Sequence, residues 1–255
     1  MEMTVTDKVN GVCVASCSFG KDSLAMVLKL IELGYQLDEV VFYDTGMEFN
    51  AIYKIRDQLK VILDANGIKL TILKPSNPFL YDMLERPVYS KKKGHHNGYG
   101  WCGGVCRWGT TWKNKALDTY AKSIGATKHY IGIAYDEPER NERLESPKVS
   151  PLYEWKLTEA DCLAYCREKG FSWQEGDVDL YAVLDRVSCW CCANKNRKEL
   201  KNMYQYLPEY WERLKDIQSQ IERPMKRFQS KKYGDYGNVF EMEKVFSEEL
   251  KSHWL

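Results

Sequence analysis

The sequence predicts an α/β fold: a mostly parallel sheet with helices on both faces, followed by a helical C-terminal extension. The first observation is that short β-prone runs alternate with segments whose apolar residues recur every three to four positions, as in strands joined by crossover helices. The second is that several strands run directly into polar loops, and ligands of such sheets bind beyond the carboxyl ends of the strands. The third is a change to helical spacing from residue 157 onward.

The predicted elements follow in order from the N-terminus. The run GVCVASC predicts a first strand, and Leu24, Val27, Leu28 and Ile31 lie on one face of the helix after it. The later predicted elements are a strand in EVVFYDTG, a helix over 50–65, a strand from Ile68, a short helix over 79–84, an irregular stretch over 86–107, a helix over 110–123, a strand in KHYIGIAYDEPER, and helices over 157–168 and 195–215. The tail that contains MKRFQSKKYGDYG is basic and aromatic.

Composition limits the class of protein. With 255 residues, 44% of them hydrophobic, the chain is long enough for one sizeable core with a smaller appended unit. Lysine and arginine total 37 against 36 for aspartate and glutamate, so the net charge of +1 gives no bulk attraction to nucleic acid or membrane. The segment MEMTVTDKVNGVCVA lacks the features of a secretory signal, and no apolar run approaches the ~20 residues that span a bilayer. We therefore expect a cytoplasmic protein with no membrane association.

The segment SFGKDS, between the first strand and the first helix, suits a phosphate group. Gly20 permits close backbone approach, and the helix N-terminus presents unpaired amides with a partial positive charge. Lys21 adds a full charge, and Asp22 suits a magnesium ion that bridges phosphate oxygens. Ser18 and Ser23 are hydroxyl donors in this hypothesis; the alternative is an ordinary strand-to-helix turn that they cap.

This segment resembles the pyrophosphate loop Ser-Gly-Gly-Lys-Asp-Ser of the N-type ATP pyrophosphatases, with Phe19 in place of a glycine, and it lacks the Walker A pattern. Within this superfamily of adenine nucleotide alpha hydrolase-like proteins, the sequence resembles the phosphoadenosine phosphosulfate (PAPS) reductase family best, over roughly residues 11–195. The other segments that resemble the family, in the same order along the chain, are VVFYDTGMEF, RWGTTWKNKAL, IGIAYDEPER, SPLYEWKLTEADCLAYCREKGF and DLYAVLDRVSCWCC.

The resemblance implies a Rossmann-like fold of the HUP type. It implies a nucleotide-binding α/β domain over residues 1–155 and a helical region over 156–255 with the second cysteine group and a basic tail. Lys21 and Asp22 are the expected catalytic residues of an attack by an acceptor oxygen on the α-phosphate of ATP, which yields an adenylated intermediate and pyrophosphate. The residues expected to bind ATP and its magnesium are Ser18, Phe19, Gly20, Lys21, Asp22, Ser23, Asp44, Thr45 and Gly46.

Departures from the family bear on the reaction. Sulfonucleotide reductases carry a catalytic cysteine near the C-terminus and usually lack the loop lysine, whereas here Cys192 is the last cysteine and Lys21 is present. Ala134 stands where the family has an arginine, which Arg140 or Arg143 would replace unless this loop is simply solvated. The departures favour an ATP-dependent adenylating enzyme; the alternatives are a PAPS or APS reductase and a non-catalytic nucleotide-binding or sensor subunit with structural zinc.

Two groups of cysteines are candidate metal ligands. Without an export signal, the nine cysteines favour reduced thiols or metal ligands over disulfides. Cys102 and Cys106 with Cys189 and Cys192 provide four thiolates from two loops, which suit a 4Fe-4S cluster or, alternatively, zinc. The resemblance favours the 4Fe-4S cluster, because adenosine phosphosulfate reductases bind such a cluster through cysteines at nearly the same positions of the family's sequence. Related ATPases of tRNA thiolation and DNA phosphorothioation also combine this loop with a cluster, which predicts sulfur transfer. Buried thiols without a metal are the third alternative.

The remaining cysteines are expected to have packing roles. Cys191 is a spare thiol beside the proposed ligands, and the others are small buried hydrophobic residues, namely Cys13, Cys17, Cys162 and Cys166.

The acceptor and the protein partners stay open. Basic residues interleaved with aromatics suit phosphate contact and base stacking, although charged runs are also ordinary solvated surface. Nucleic acid is therefore one candidate acceptor, and a sulfur-donor protein and a homo-oligomer are compatible with the sequence. The basic and aromatic residues in question are Lys91, Lys92, Lys93, His95, His96, Lys226, Arg227, Phe228, Lys231, Lys232, Tyr233 and Tyr236.

Overall fold

The computed structural model describes residues 10–91 and 94–252 of the chain. The expectation drawn from the first nine residues, and Lys92 and Lys93 of the basic cluster, lie outside the described residues. None of the helices within these ranges combines the length and the apolar character that a bilayer crossing demands.

Helices and strands alternate through the first two thirds of the chain. The helices are α1 (Lys21–Glu32), α2 (Asn50–Ala65), α3 (Lys113–Ser123), α4 (Pro138–Asn141), α5 (Pro151–Glu154), α6 (Glu159–Glu168), α7 (Leu180–Val183), α8 (Arg197–Tyr206), α9 (Pro208–Ser219) and α10 (Val239–Lys251). The strands are β1 (Val12–Ser16), β2 (Glu39–Tyr43), β3 (Lys69–Leu73), β4 (Pro87–Ser90), β5 (Gly94–Asn97), β6 (Ala126–Ile131), β7 (Lys148–Val149), β8 (Gln174–Glu175), β9 (Val178–Asp179), β10 (Phe228–Ser230) and β11 (Gly234–Tyr236). Segments of π-helix cover Tyr81–Glu85 and Arg107–Trp112.

The central sheet has the strand order β3-β2-β1-β6-β7, and each pair in it is parallel. In register, Val14 pairs with Glu39 of β2 and with His129 of β6. Every residue of β2 is buried, as expected for a strand that helices cover on both faces. This arrangement confirms the predicted α/β class with a parallel sheet.

The described residues divide into two compact units that interleave along the chain. The first unit holds the residues up to Asp44 together with Asn50–Lys74 and Trp112–Trp173. The second unit holds Thr45–Phe49, Pro75–Thr111 and the residues from Gln174 onward. The family resemblance implied a single boundary near residue 155. The segment up to Trp173 lies in the first unit because α6 packs on α1, and the indole Nε1 of Trp173 donates a hydrogen bond of 2.8 Å to the Phe19 carbonyl.

The second unit is built from α8, α9 and α10 with the antiparallel hairpins β4–β5 and β10–β11. Its helices pack through Tyr204, Trp211 and Phe246, whose rings lie 5.5–6.3 Å apart. The continuous helix predicted over 195–215 is wrong, because Pro208 forces the residue before it out of the helical region. Leu207 has φ −129° and ψ 57°, and α8 ends there.

Candidate functional site

The loop after β1 adopts a backbone shape that the buried Phe19 stabilises. Phe19 has φ 58°, a conformation that favours glycine, and the related loops carry glycine at this position. Its side chain is fully buried and packs edge-on against Phe42, with ring centroids 4.8 Å apart. Burial of the ring and the bond from Trp173 to its carbonyl offset the backbone strain.

The two serines hold the loop together internally. Ser23 Oγ accepts a hydrogen bond of 3.1 Å from the Ser18 amide, lies 3.2 Å from Ser18 Oγ and donates to the Gly20 carbonyl over 3.2 Å. The N-cap of α1 is Gly20, which offers no side-chain cap. The amides of the first turn therefore lack both an intrahelical acceptor and a side-chain cap at that residue.

Lys21 is a buried cation at the first turn of α1. Its side chain is 9% exposed, and its Nζ donates to both carboxylate oxygens of Asp22, over 2.9 and 3.0 Å, and to Glu159 Oε2 over 2.5 Å. Burial acts to lower the pKa of Lys21, but the two carboxylates outweigh it, so the pKa is raised. Burial raises the pKa of Asp22, and Lys21 opposes that effect. Lys21 therefore stays protonated, as a cation paired with two carboxylates.

Gly132, at the end of β6, lies against the same turn. A Cβ atom at Gly132 would lie 2.8 Å from Ser23 Cα and 2.9 Å from Ser23 N. A side chain there would push the first turn of α1 away, so the position requires glycine for close packing. The candidate replacements for the missing arginine lie on the exposed segment that follows. Arg140 pairs with Glu137 at 2.6 Å, and Arg143 Nε donates to the Glu139 carbonyl over 2.7 Å.

The predicted nucleotide residues after β2 belong to different units. Asp44 is in the first unit, where its carboxylate accepts a 2.8 Å hydrogen bond from the Tyr53 hydroxyl. Thr45 and Gly46 are in the second unit. The Thr45 hydroxyl donates to Glu48 Oε1 over 3.2 Å and lies 3.6 Å from Cys189 Sγ. The structure therefore brings Thr45 to the cysteines, and its contact with nucleotide stays a prediction.

Both cysteine groups line one cavity of about 150 Å³ within the second unit. Such a volume is roughly ten times the ~10–15 Å³ that one water molecule needs, so the cavity has room for a group of several atoms. Cys191, expected to be a spare thiol, lines it too. The other cavity-lining residues are Phe79, Met83, Trp101, Trp108, Gly109, Thr110, Ser188, Ala193 and Asn194, alongside Cys102, Cys106, Cys189, Cys191 and Cys192.

Backbone amides point at the sulfurs of the first group. The Arg107 amide donates to Cys102 Sγ and the Gly109 amide donates to Cys106 Sγ, each over 3.3 Å. In the second group, Cys189 Sγ donates to Glu48 Oε1 over 3.6 Å. Burial raises the pKa of the Cys106 and Cys189 thiols. A metal bound by these thiols would therefore have to displace their protons.

The geometry at Gly109 bears on which group the thiols would hold. A Cβ atom at Gly109 would lie 3.7 Å from Cys106 Sγ and 4.0 Å from Cys189 Sγ, so glycine leaves the space between these sulfurs open. Over the described part of the chain, no three histidine, cysteine, aspartate or glutamate side chains converge as a single metal ion requires. The thiol donor set and the cavity volume fit a group of several metal and sulfur atoms, and the same thiols are also ligands that zinc accepts.

Two polar groups beside the cysteines come from outside the predicted site. Lys195 is 2% exposed, and its Nζ donates a hydrogen bond of 3.1 Å to the hydroxyl of the cavity-lining Ser188. Burial lowers the pKa of Lys195, and the thiols of Cys192 and Cys189 oppose that effect. The second group is the indole of Trp101, which is 2% exposed. The sequence signal for Lys195 was its position three residues after Cys192, in the turn before α8.

The other expectations about individual residues have simple outcomes. Cys13, Cys17, Cys162 and Cys166 are buried in the first unit, as predicted.

Two parts of the predicted basic and aromatic cluster lie on hairpins of the second unit. The ring centroids of Tyr89 and His95 lie 5.2 Å apart on β4–β5, and those of Phe228 and Tyr236 lie 5.5 Å apart on β10–β11, each pair with tilted ring planes. Nucleic-acid binding by these hairpins stays a prediction.

Comparison with known proteins gives a family match. The family model for the phosphoadenosine phosphosulfate reductase domain matches residues 12–175, from the first residue of β1 to the last residue of β8. An uncharacterized protein of Methanocaldococcus jannaschii is 24% identical over 229 residues, which are 83% of this chain and 42% of that relative. The chain thus spans less than half the length of this relative. The U34-tRNA thiolase NcsA from Methanococcus maripaludis, in a structure with its 4Fe-4S cluster, aligns with a TM-score of 0.46 and 14% identity, over 96% of this chain and 74% of its own.

Proposed function

Since this chain belongs to the phosphoadenosine phosphosulfate reductase domain family, we propose that it is an ATP pyrophosphatase that adenylates an acceptor for iron–sulfur-assisted sulfur transfer. The observation that carries the proposal is the position of Lys21, a buried ammonium in the first turn of α1. The amides of that turn lack intrahelical acceptors. A fixed cation at the positive end of a helix favours the phosphate chain of a nucleotide.

The proposed step is a displacement at the α-phosphorus of ATP. An acceptor oxygen gives an electron pair to phosphorus and loses its proton to solvent, and the bond to the oxygen that bridges the α- and β-phosphates breaks. Pyrophosphate leaves with that electron pair, and Lys21 with the first-turn amides of α1 neutralises its growing charge. Asp22, whose side chain is 26% exposed, would provide a carboxylate oxygen for magnesium, which supplies further positive charge to the phosphate oxygens.

The cysteine-lined cavity supports the sulfur-transfer part of the proposal. Cys102, Cys106, Cys189 and Cys192 would hold a 4Fe-4S cluster, which when bound would supply the iron–sulfur chemistry of the transfer. The chain itself prepares the cavity in two ways. The amides of Arg107 and Gly109 donate to the first pair of sulfurs, and the buried side chains of Trp101 and Trp108 line the cavity with aromatic rings.

Substitution of Lys21 tests the nucleotide part. The wild-type protein, purified without oxygen, should convert ATP to AMP and pyrophosphate with water or an added nucleic acid as acceptor. We expect Lys21→Ala to lower this rate about 100-fold or more, because it removes the charge opposite the leaving group. Lys29→Ala, a matched change on the same helix, should leave the rate and the circular dichroism spectrum unchanged. Full activity in the Lys21 variant, or ADP and phosphate as products, would contradict the assignment.

Metal analysis tests the sulfur-transfer part separately. Iron and acid-labile sulfide should be present in near-equal amounts per chain, and both should be lost in Cys189→Ser. Cys13→Ser, a change of a buried thiol in the first unit, should retain them. Zinc without sulfide would instead indicate that the cysteines form a structural zinc site. The function would then be adenylation or nucleotide sensing without sulfur transfer.

Sulfonucleotide reduction is a second candidate, favoured by the description of the matched family. It predicts release of sulfite from a sulfonucleotide with thioredoxin as the electron donor. The presence of Lys21 argues against it, because those reductases usually lack a lysine in this loop. Sulfite release at a rate that exceeds AMP formation from ATP would make this candidate the better one.

A further inference from the structure

One wall of the cysteine-lined cavity carries a hydrogen-bond donor whose acceptor is missing. Trp101 precedes Cys102, lines the cavity and is 2% exposed. Its indole Nε1 is buried and, among the described residues, has no hydrogen-bond partner. Trp101 is thus an aromatic residue with an unused polar atom next to thiol sulfurs.

A buried donor without an acceptor is unfavourable. Native proteins pair most buried polar groups, because an unmade hydrogen bond costs the full desolvation of the donor. A phenylalanine would fill much of the same space without that cost. The indole N–H at this position therefore points to an acceptor that occupies the cavity.

The chemistry of the cavity identifies the kind of acceptor. Five cysteines line it beside Thr110, Ser188 and Asn194, and the sulfurs of Cys102 and Cys106 each already accept a hydrogen bond from a backbone amide. The donors therefore converge on sulfur, and sulfur becomes a strong acceptor once it carries negative charge as thiolate or sulfide.

We propose that the Trp101 indole N–H donates a hydrogen bond to a sulfur of the iron–sulfur cluster and so sets its reduction potential. This inference rests on the proposed function, since it requires the cluster to be present. Addition of an electron increases the negative charge on cluster sulfur, and a hydrogen bond stabilises the reduced form more than the oxidised form. Trp101 is therefore a positioning residue that raises the potential of the cluster.

A redox titration of Trp101→Phe tests the inference. Protein purified without oxygen is titrated against mediators, and the reduced cluster is followed by electron paramagnetic resonance. We expect about a tenfold lower ratio of reduced to oxidised cluster at a fixed potential, as for one lost hydrogen bond to a charged group. For a one-electron couple that ratio is a shift of about 59 mV to more negative potential.

The matched control is Trp190→Phe. Trp190 is also a buried indole directly beside a cluster cysteine, at 6% exposure, but it does not line the cavity. Its substitution should leave the midpoint potential at the wild-type value. Equal shifts in both variants would show a general packing effect and would overturn the inference.

A second measurement detects the hydrogen bond itself and not its effect on the potential. In wild-type protein with tryptophan labelled with ¹⁵N at the indole nitrogen, pulsed electron paramagnetic resonance of the reduced cluster should show a ¹⁵N coupling. The coupling should persist in Trp190→Phe and disappear in Trp101→Phe. Iron and sulfide with no such coupling would overturn the role of Trp101 and leave the proposed function intact. Zinc without sulfide would overturn both.

Discussion

At the scale of single residues, the ion pairs of Lys21 bear on how ATP would bind. Its ammonium lies between the carboxylates of Asp22 and Glu159, at 2.9 and 2.5 Å. The phosphate oxygens of ATP compete with these carboxylates for the same hydrogens, because an ammonium has three donors. Glu159 is the more exposed of the two partners, at 33% against 26%, and it is the first residue of α6.

We predict that Glu159→Gln increases the affinity for ATP. The change removes one negative charge from Lys21, so less electrostatic free energy is lost when phosphate takes its place. Because the carboxylate is partly solvated, we expect a gain of about three- to tenfold rather than more. Calorimetry with an ATP analogue that has a methylene bridge between the α- and β-phosphates measures binding without cleavage.

Glu168→Gln is the matched control for this experiment. It neutralises an exposed glutamate at the other end of the same helix, and it should leave the dissociation constant unchanged. An unchanged or weaker affinity in Glu159→Gln would mean that the carboxylate orients Lys21 for phosphate and does not compete with it.

The sequence predicted the local part of the site and missed the distant part. Residues of SFGKDS and the cysteine groups are recognisable because their chemistry is contiguous in the chain. Glu159 lies 138 positions from Lys21, and only the packing of α6 on α1 brings the two together. The resemblance implied that Thr45 lies near the nucleotide, and that stays a prediction; nothing in the sequence indicated that the Thr45 hydroxyl lies 3.6 Å from Cys189 Sγ.

At the scale of secondary-structure elements, β1 and β6 are linked through a buried histidine. His129 Nε2 of β6 lies 2.7 Å from the hydroxyl of Ser16 at the end of β1. His129 is 3% exposed. Burial lowers its pKa from 6.5 to about 4, and Lys148 acts in the same direction while Asp118 opposes it. The folded protein therefore holds this imidazole neutral.

We predict that acid destabilises the fold through His129. In the unfolded chain His129 binds a proton near pH 6.5, and in the folded chain it does so only near pH 4. The contribution of the neutral His129 to the free energy of unfolding is therefore fully present above pH 6.5, and it is lost as the pH is lowered towards 4. The shift corresponds to about 3 kcal/mol at the low end. Urea unfolding from pH 7.5 to 4 should show this loss in the wild type but not in His129→Gln.

His95→Gln, a change of an exposed histidine on β5, should retain the wild-type pH dependence. The variants are compared by the slope of the free energy of unfolding against pH, because carboxylates also titrate in this range and contribute to the slope of every variant. Parallel slopes for the wild type and His129→Gln would contradict a neutral buried imidazole.

Elements with a regular apolar pattern were predicted closely, and irregular ones were not. The helix predicted over 50–65 is α2, whose buried face repeats at Ile52, Ile55 and Leu59. The stretch over 86–107, predicted irregular, contains the hairpin β4–β5, whose four-residue strands are too short and too polar to give a period of two. The last helix, α10, was missed although Asn238 and Glu241 form a capping box at its start.

At the scale of the whole molecule, the two units carry different parts of the proposed chemistry. The first unit contains the loop 18–23 and the ion pairs of Lys21, and the second contains both cysteine groups. A simple boundary could not be predicted because each unit is assembled from separate stretches of chain. Long-range packing, such as that of Trp173 on the Phe19 carbonyl, decides which unit a stretch joins.

Hydrogen exchange can test this division of chemistry by following peptides of the whole protein. We expect the uncleavable ATP analogue with magnesium to slow exchange about tenfold or more over 18–32, because phosphate would order the loop and the first turn of α1. Loading with iron and sulfide should slow exchange over 101–112 and 188–196, where the thiols and the amides that donate to them lie.

The variants assign each effect to its ligand. Lys21→Ala should abolish the slowing over 18–32 while the cysteine peptides still respond to iron and sulfide, and Cys189→Ser should give the reverse. If the ATP analogue protected only the peptides over 101–112 and 188–196, the nucleotide would bind in the second unit, and Lys21 could not serve the leaving pyrophosphate. An ordered ligand must lower the frequency of local opening where it binds. If the ATP analogue did not slow exchange over 18–32, and iron and sulfide did not slow it over 101–112 and 188–196, neither ligand would bind at its proposed site. Lys21 and the cysteines would then have packing roles alone.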